Sequence, residues 1–182
     1  LAFSAIKNND KAGLLLFTDK VEKYIPPAKG KSHILRLIRD MINFSPAGKG
    51  TNISEALAYL NRVIKKKSII FLLSDFIDKD YDKALSIAAR KHDLIGIQLM
   101  DHLEKELPRL GFIPINDLES GTTRWINTSS SKVRKNYERW RYNLMNEVDT
   151  IFKSNKSDLI RLETGDSYIQ SLHQFFQKRS RR

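Results

Sequence analysis

SIIFLLS, residues 68–74, is the most apolar run in the sequence. It shows no alternation of apolar and polar positions, which is typical of a strand in a sheet covered on both faces. A second such run, LIGIQLM at residues 94–100, follows a segment at residues 81–91 whose apolar residues have helical spacing. This strand–helix–strand order predicts a parallel α/β sheet with right-handed crossovers.

The same patterns, followed toward both ends of the chain, predict a Rossmann-like, mostly parallel α/β sheet with helices on both faces. Four strands should be mutually parallel, and Val21–Ile25 should run antiparallel to the first of them because only Asp19 and Lys20 intervene. The four parallel strands are Ala12–Thr18, Ser68–Ser74, Leu94–Met100 and Leu159–Leu162. Helices are predicted at Leu1–Asn8, Ser32–Phe44, Asn52–Lys66, Tyr81–Lys91, Lys132–Phe152 and Tyr168–Lys178, and a small hairpin insertion at about residues 112–127.

The composition is that of a single globular domain over residues 1–182. Hydrophobic residues make up 41% of the chain, enough to bury a core, and the absence of cysteine excludes disulfides, thiolate zinc sites and cysteine nucleophiles. No apolar run reaches the ~18 residues of a membrane helix. The first residues have the pattern of a helix interior, so we expect the chain to be a piece of a longer protein.

Positive charge is concentrated in the last third of the chain. Residues 124–182 hold 13 of the 32 basic residues but only 6 of the 21 acidic ones. Nucleic acid, anionic lipid, an acidic protein partner and a solvated basic helix are all compatible with this distribution. Tyr137 and Trp140 alternate with basic residues, as in proteins that clamp single-stranded nucleic acid. They also lie on a stripe with three- and four-residue spacing, which predicts that they are buried.

Asp75 is the leading candidate for a functional residue. It directly follows the most buried predicted strand, at the edge of the sheet where α/β proteins bind their ligands. A carboxylate there loses hydration unless a partner compensates for it. The alternative is that Asp75 caps the next helix, with Asp78, Asp80 and Asp82 as its solvated neighbours.

Thr51 is the second candidate, within the sequence Gly48-Lys49-Gly50-Thr51-Asn52. Glycines allow the backbone to approach a ligand closely, and Thr51 would present its hydroxyl group there. The alternative is ordinary capping of the following helix by Thr51 or Asn52.

Four segments together resemble a bacterial family catalogued as "domain of unknown function 58", whose core is a von Willebrand factor A-like domain. They are Gly50-Thr51-Asn52-Ile53, Leu72-Leu73-Ser74-Asp75-Phe76, Asp101-His102-Leu103-Glu104-Lys105-Glu106-Leu107-Pro108 and Asp117-Leu118-Glu119-Ser120-Gly121. The resemblance extends over nearly the whole chain, to its basic end.

The resemblance implies a metal-ion-dependent adhesion site, in which Thr51 and Asp75 match two of the three metal-binding loops. The third, Asp-x-Ser-x-Ser after the first strand, is absent here and would lie before Leu1. We therefore expect Mg²⁺ or another divalent cation in the complete domain and none in this fragment. The absent strand would lie between Ala12–Thr18 and Ser68–Ser74. Either these two strands pair directly, or the gap is filled by a neighbouring molecule or by residues outside this chain.

The resemblance also implies a non-enzymatic adaptor that works with a MoxR-type AAA+ ATPase, in the cytoplasm, with a parent protein attached to the inner membrane. Exposed strand edges would allow oligomerisation. Two alternatives remain open. One is a nucleic-acid-binding domain that uses the basic last third, a partner class that we do not favour. The other is a metal-dependent hydrolase that uses Asp75 and Asp78.

Overall fold

The computed structural model describes residues 1–116 and 122–180 and has the mixed α/β architecture expected from the sequence. Helices and strands alternate along most of the chain. The helices are α1 (Ala2–Lys7), α2 (Lys31–Ile42), α3 (Ile53–Val63), α4 (Asp82–Lys91), α5 (Ser131–Ser154) and α6 (Tyr168–Arg179). The strands are β1 (Ala12–Phe17), β2 (Val21–Ala28), β3 (Ile69–Ser74), β4 (Asp93–Met100), β5 (Phe112–Asn116), β6 (Thr123–Asn127) and β7 (Asp158–Glu163).

The central sheet is parallel and has the order β3-β4-β7. Ile70 of β3 pairs with Leu94 of β4, and Ile97 of β4 pairs with Ile160 of β7. All three strands lie where the sequence predicted strands, and their parallel arrangement is confirmed. Their carboxyl ends therefore meet at one edge of the sheet and their amino ends at the other.

Helices cover both faces of this sheet, as predicted. On one face, Ile70, Leu72 and Leu94 pack with α3, α4 and α5 in the largest apolar cluster. Gly96 of β4 also lies on this face, and a Cβ atom there would stand 2.4 Å from the Phe152 ring of α5. Glycine at this position thus allows α5 to lie directly on the sheet. On the other face, Ile95, Ile97 and Ile160 pack against residues of α6.

The strand β1 does not join the parallel sheet, which corrects the predicted four-stranded arrangement. It forms a separate antiparallel pair with β2, and the short turn between the two strands predicts this antiparallel pairing. Leu15 lies opposite Tyr24 in the pair. The helices α1 and α2 pack against this pair around Ile25, Ile34 and Leu37. Two outcomes were expected for the place of the absent strand between β1 and β3. The first, direct pairing of β1 with β3, is therefore wrong. The second, that a neighbouring molecule or residues outside this chain fill the place, stays a prediction.

The predicted small hairpin is formed by β5 and β6, with Ile113 opposite Ile126. Its base is fixed by the buried Thr128, whose hydroxyl group donates to the Gly111 carbonyl at 2.9 Å and accepts from the Leu110 amide at 3.0 Å. The segment Asp117-Leu118-Glu119-Ser120-Gly121 lies outside the described residues.

The amino-terminal half of α5 is less buried than its apolar spacing predicts. Val148 and Phe152 near its carboxyl end are fully buried, but Trp140 is 46% exposed. The parallel sheet contacts only the last turns of this 24-residue helix. The apolar stripe of α5 therefore extends beyond the sheet that would bury it. The prediction that Trp140 is buried is therefore wrong.

Candidate functional site

The carboxyl edge of the parallel sheet carries a tight turn at residues 75–77. Phe76 has a φ of 61°, a left-handed conformation that a bulky side chain rarely adopts. Its ring is nevertheless fully buried and contacts Tyr81 and, edge to face at a centroid distance of 5.4 Å, Phe152. Because the core holds the ring in place, the backbone of this turn is fixed despite its strain.

The Asp75 carboxylate projects from this turn and is exposed. Its Oδ1 accepts a hydrogen bond from the Ile77 amide at 3.0 Å, and the neighbouring Ser74 hydroxyl accepts one from the Phe76 amide at 3.0 Å. Asp75 does not lose the hydration that its place after a buried strand led us to expect, because its side chain is exposed. Asp75 therefore sits in a fixed position while retaining access to solvent.

Thr51 lies two residues before α3, and the cap of this helix is Asn52 rather than Thr51. The Asn52 side chain accepts a hydrogen bond from the Glu55 amide at 2.8 Å. The Asn52 amide donates to the carbonyl of Thr18, at the end of β1, at 2.8 Å. The structure thus places Thr51, half-buried, between the end of β1 and the start of α3.

Two hydrogen bonds tie the start of α3 to the loop that carries Asp75. The Ile53 amide donates to Oδ2 of Asp78 at 2.7 Å, and the Ser54 hydroxyl donates to the Asp80 carbonyl at 3.0 Å. The loops of both candidates are therefore brought together at the carboxyl edge of the sheet. The Asp78 carboxylate makes one of these two bonds, a structural role that the run of four aspartates in the sequence did not predict.

A buried polar network supports the turn from below. Gln98 of β4 is 2% exposed, donates through Nε2 to the Asp75 carbonyl at 3.1 Å and accepts from Nε of Arg161 at 2.9 Å. Arg161 in turn donates to Oδ1 of Asp149 at 2.7 Å. This network was not predicted from the sequence, although the glutamine inside the apolar run LIGIQLM indicates a buried polar group that needs partners.

Glu22 of β2 holds the glycine-rich segment that precedes Thr51. Its carboxylate accepts hydrogen bonds from the Gly48 amide at 2.7 Å and from the Thr18 hydroxyl at 2.8 Å. The Gly48 amide is the main cause of a lowered Glu22 pKa, followed by the Thr18 hydroxyl. No local motif marks Glu22, because its partner amides lie far along the chain.

The described residues offer a divalent cation only part of a coordination shell. Thr51 and Asp75 could supply one hydroxyl and one carboxylate oxygen, both hard ligands that suit Mg²⁺. Within residues 1–116 and 122–180, no group of three His, Cys, Asp or Glu side chains is arranged to hold a metal ion. The donor chemistry is right for Mg²⁺, but these two side chains are too few for its octahedral shell.

The chain belongs to the family described as "Protein of unknown function DUF58", which matches residues 1–144. It is 22% identical over 160 residues to the uncharacterized protein MAV169 of Mycobacterium avium, covering 86% of this chain and 94% of that protein. It is also 22% identical over 175 residues to the uncharacterized protein Rv1480 of Mycobacterium tuberculosis. That match covers 94% of this chain but 55% of the relative, so the chain spans about half of the longer protein.

The fold is shared with a solved structure, the conserved hypothetical protein BatB from Bacteroides thetaiotaomicron. The TM-score is 0.57 at 16% sequence identity, with 100% of this chain and 86% of the other covered. At this identity the likeness concerns the fold alone. Within the part of the chain that the structure describes, no helix has both the length and the apolar character needed to cross a membrane.

Proposed function

We propose that this domain is a non-enzymatic protein-binding module whose docking surface is the carboxyl edge of the parallel sheet. The observation that carries the proposal is the exposed Asp75 carboxylate on a turn held rigid by the buried Phe76 ring. Strained backbone held by the core is common at functional sites. Ligands of open α/β sheets bind at this same edge.

Two further contacts support a recognition role for this edge. The hydrogen bond between Ile53 and Asp78 holds the Thr51 loop next to the Asp75 turn, and Gln98 fixes the Asp75 carbonyl from inside the fold. A surface positioned in this way loses little conformational freedom when a partner binds, which favours affinity.

A divalent cation is proposed as part of this surface in the complete domain. Thr51 and Asp75 would each provide one ligand, and the remaining ligands would come from residues beyond those described here. The cation would supply a coordination site for an acidic side chain of the partner. The resemblance to von Willebrand factor A-like adaptors suggests a MoxR-type AAA+ ATPase as that partner, and we place the interaction in the cytoplasm.

The test is a binding measurement between the complete parent domain and a MoxR-type AAA+ ATPase from the same organism, by biolayer interferometry in the presence of Mg²⁺. Asp75→Asn should weaken binding about tenfold or more, the loss expected when a central charged contact is removed. The matched control is Asp80→Asn, which removes the same charge from the same loop. Asn tolerates the left-handed φ of 58° at that position.

Asp80→Asn should bind as tightly as the unsubstituted domain. Equal binding by the unsubstituted domain and Asp75→Asn, or equal losses in Asp75→Asn and Asp80→Asn, would contradict a docking role for Asp75. A chelator separates the contribution of the cation: metal-dependent docking should be lost with EDTA and should change little with added salt.

A second candidate function, binding of single-stranded nucleic acid, is favoured by one observation. Trp140 and Tyr142 are 46% and 67% exposed, and they alternate with Arg139 and Arg141 in α5. Exposed aromatic rings beside arginines provide stacking platforms for bases. Fluorescence anisotropy with an oligo-dT probe tests it: affinity should fall steeply with salt, and Trp140→Leu should weaken it about tenfold. Affinity that is independent of salt would contradict this function.

A further inference from the structure

A cavity of about 300 Å³ lies at the opposite, amino edge of the parallel sheet. Its walls come from three places: the segment before β3, the junction of α4 with β4, and the junction of α5 with β7, closed by the end of α6. Its polar lining residues are Lys67, His92, Asp93, Lys156, Ser157 and Arg179. This cavity is separate from the carboxyl edge and plays no part in the proposed docking surface.

His92 is the feature of this cavity that a structural role does not explain. It is 2% exposed, and among the described residues neither of its ring nitrogens has a hydrogen-bond partner. A buried polar atom left without a partner destabilises the folded chain, because it has lost its hydrogen bonds to water. Burial, followed by the charge of Lys91, lowers the His92 pKa, so the ring is neutral at pH 7 and offers one N–H donor and one acceptor.

The charges around the cavity favour an anion. The acidic residue in the lining, Asp93, is already paired with the Arg179 guanidinium, which also lies 3.4 Å from Oδ2 of Asp158. Nη1 of Arg179 is the atom that lies 3.4 Å from Oδ2 of Asp158; it is buried, and this ion pair lacks hydrogen-bond geometry. The ammonium groups of Lys67 and Lys156 are exposed, and neither forms an ion pair within residues 1–116 and 122–180.

We propose that this cavity binds a phosphate group. Lys67 and Lys156 would neutralise its charge at the mouth, while the His92 N–H and Nη1 of Arg179 would donate to its oxygens from inside. A tetrahedral oxyanion has enough acceptor positions for all four groups, and hydrogen bonds from cationic donors to it are about twice as strong as neutral ones. A metal ion does not fit, because no three His, Cys, Asp or Glu side chains of the described residues converge there.

The proposal is tested by titrating the chain with inorganic phosphate at constant ionic strength, set with sodium chloride. Histidine ring signals in ¹H–¹⁵N NMR spectra report on His92, which is identified by its loss in His92→Leu. Saturable shifts of the His92 ring signals are expected, without matching shifts of His33. Acetate at the same ionic strength should cause no saturable shift.

Lys156→Asn is the variant that probes the mouth of the cavity. Lys156 has a φ of 53°, a conformation that Asn also accepts, so the variant removes the charge and keeps the turn. It should weaken phosphate binding about five- to tenfold, as expected for one partly exposed charged hydrogen bond. Lys66→Asn, which removes a neighbouring charge outside the lining, is the matched control and should bind phosphate as the parent chain does.

Glycerol 3-phosphate distinguishes the two possible sources of the group. It should bind at least as tightly as inorganic phosphate if the natural ligand is a phosphate monoester, and more weakly if the ligand is free phosphate. The proposal is overturned if phosphate leaves the His92 signals unchanged. It is also overturned if Lys156→Asn and Lys66→Asn weaken binding equally, because the effect would then reflect general charge.

Discussion

The two edges of the parallel sheet are built from the same three strands but satisfy their polar groups in opposite ways. At the carboxyl edge, the carboxylates of Asp75 and Asp78 accept hydrogen bonds from backbone amides, and Gln98 supports the turn from inside. At the amino edge, the ring of His92 and Nη1 of Arg179 are buried without hydrogen bonds to any described residue.

This contrast separates two kinds of surface. An edge whose polar groups are hydrogen-bonded is rigid and presents a fixed shape to a partner. Buried polar groups without hydrogen bonds instead favour binding of a molecule that supplies those bonds. The first is suited to docking of a macromolecule, and the second to binding of a small ligand. Three substitutions test whether the two edges differ in this way.

Phe76→Ala should have the largest effect, because it removes the ring that anchors the carboxyl edge in the core. We expect a loss of about 3–5 kcal/mol in the free energy of unfolding, the usual cost of deleting a buried phenylalanine ring. Relief of the unfavourable left-handed backbone does not offset this, since alanine is also strained there. Urea denaturation followed by circular dichroism measures the change.

The control for this prediction is Ile77→Ala, one residue further along, whose side chain is 48% exposed. It should cost less than about 1 kcal/mol. Similar losses in Phe76→Ala and Ile77→Ala would mean that the core does not hold the turn.

Gln98→Leu should have the second largest effect, through loss of the network beneath Asp75. The Asp75 carbonyl and Nε of Arg161 would both lose a hydrogen bond inside the fold. We expect a loss of about 1–3 kcal/mol in unfolding free energy. Amide hydrogen exchange of residues 75–77 should also accelerate.

Gln98→Glu provides the comparison, since it keeps an acceptor for Arg161 but removes the donor to the Asp75 carbonyl. Exchange at residues 75–77 should accelerate in both variants. Unchanged exchange in either would show that the turn is rigid without this network.

His92→Leu should have the smallest effect and the opposite sign. It replaces a ring with two unsatisfied nitrogen atoms by an apolar side chain of similar volume, so we expect a gain of about 1 kcal/mol in the absence of phosphate. A loss of stability in this variant would show that the imidazole is satisfied in the folded protein.

The pH dependence gives a second measurement on the same residue. The His92 pKa is lowered in the folded chain from its ordinary value of 6.5, so the unfolded chain takes up the proton first. His92 should therefore reduce stability as the pH falls below about 6.5, until the folded ring also becomes protonated. This part of the stability profile should be absent in His92→Leu.

The sequence predicted those elements whose pattern is local. Continuous apolar runs located β3 and β4, and the changes between helical and strand periodicity located β7 and the helices. The pairing of β1 was not predictable from its own apolar run, because a strand of this kind does not specify its neighbour. The exposure of Trp140 was missed for a related reason: helical spacing marks an apolar stripe but does not tell how far the covering sheet extends.

The candidate site, like the fold, was predictable only where its residues belong to a local sequence pattern. Asp75 and the Thr51 segment stood out because each follows or precedes a strongly patterned element. The supporting contacts of Glu22 and Arg161 did not, because their partners are distant in sequence. The lack of hydrogen-bond partners for the His92 ring depends on which groups of α6 and of the junction between α5 and β7 surround it. No local sequence pattern predicts those neighbours.

The contact between Phe76 and Phe152 also has a consequence for the order of folding during synthesis. The turn at Phe76 is unfavourable by itself, and it is held by a ring that belongs to α5, far toward the carboxyl end of the chain. The ribosome must therefore release α5 before the Asp75 turn can take its final shape. A nascent chain with β3 and α4 complete would still lack the finished surface, so a partner that recognises this edge would bind only after α5 has been synthesised.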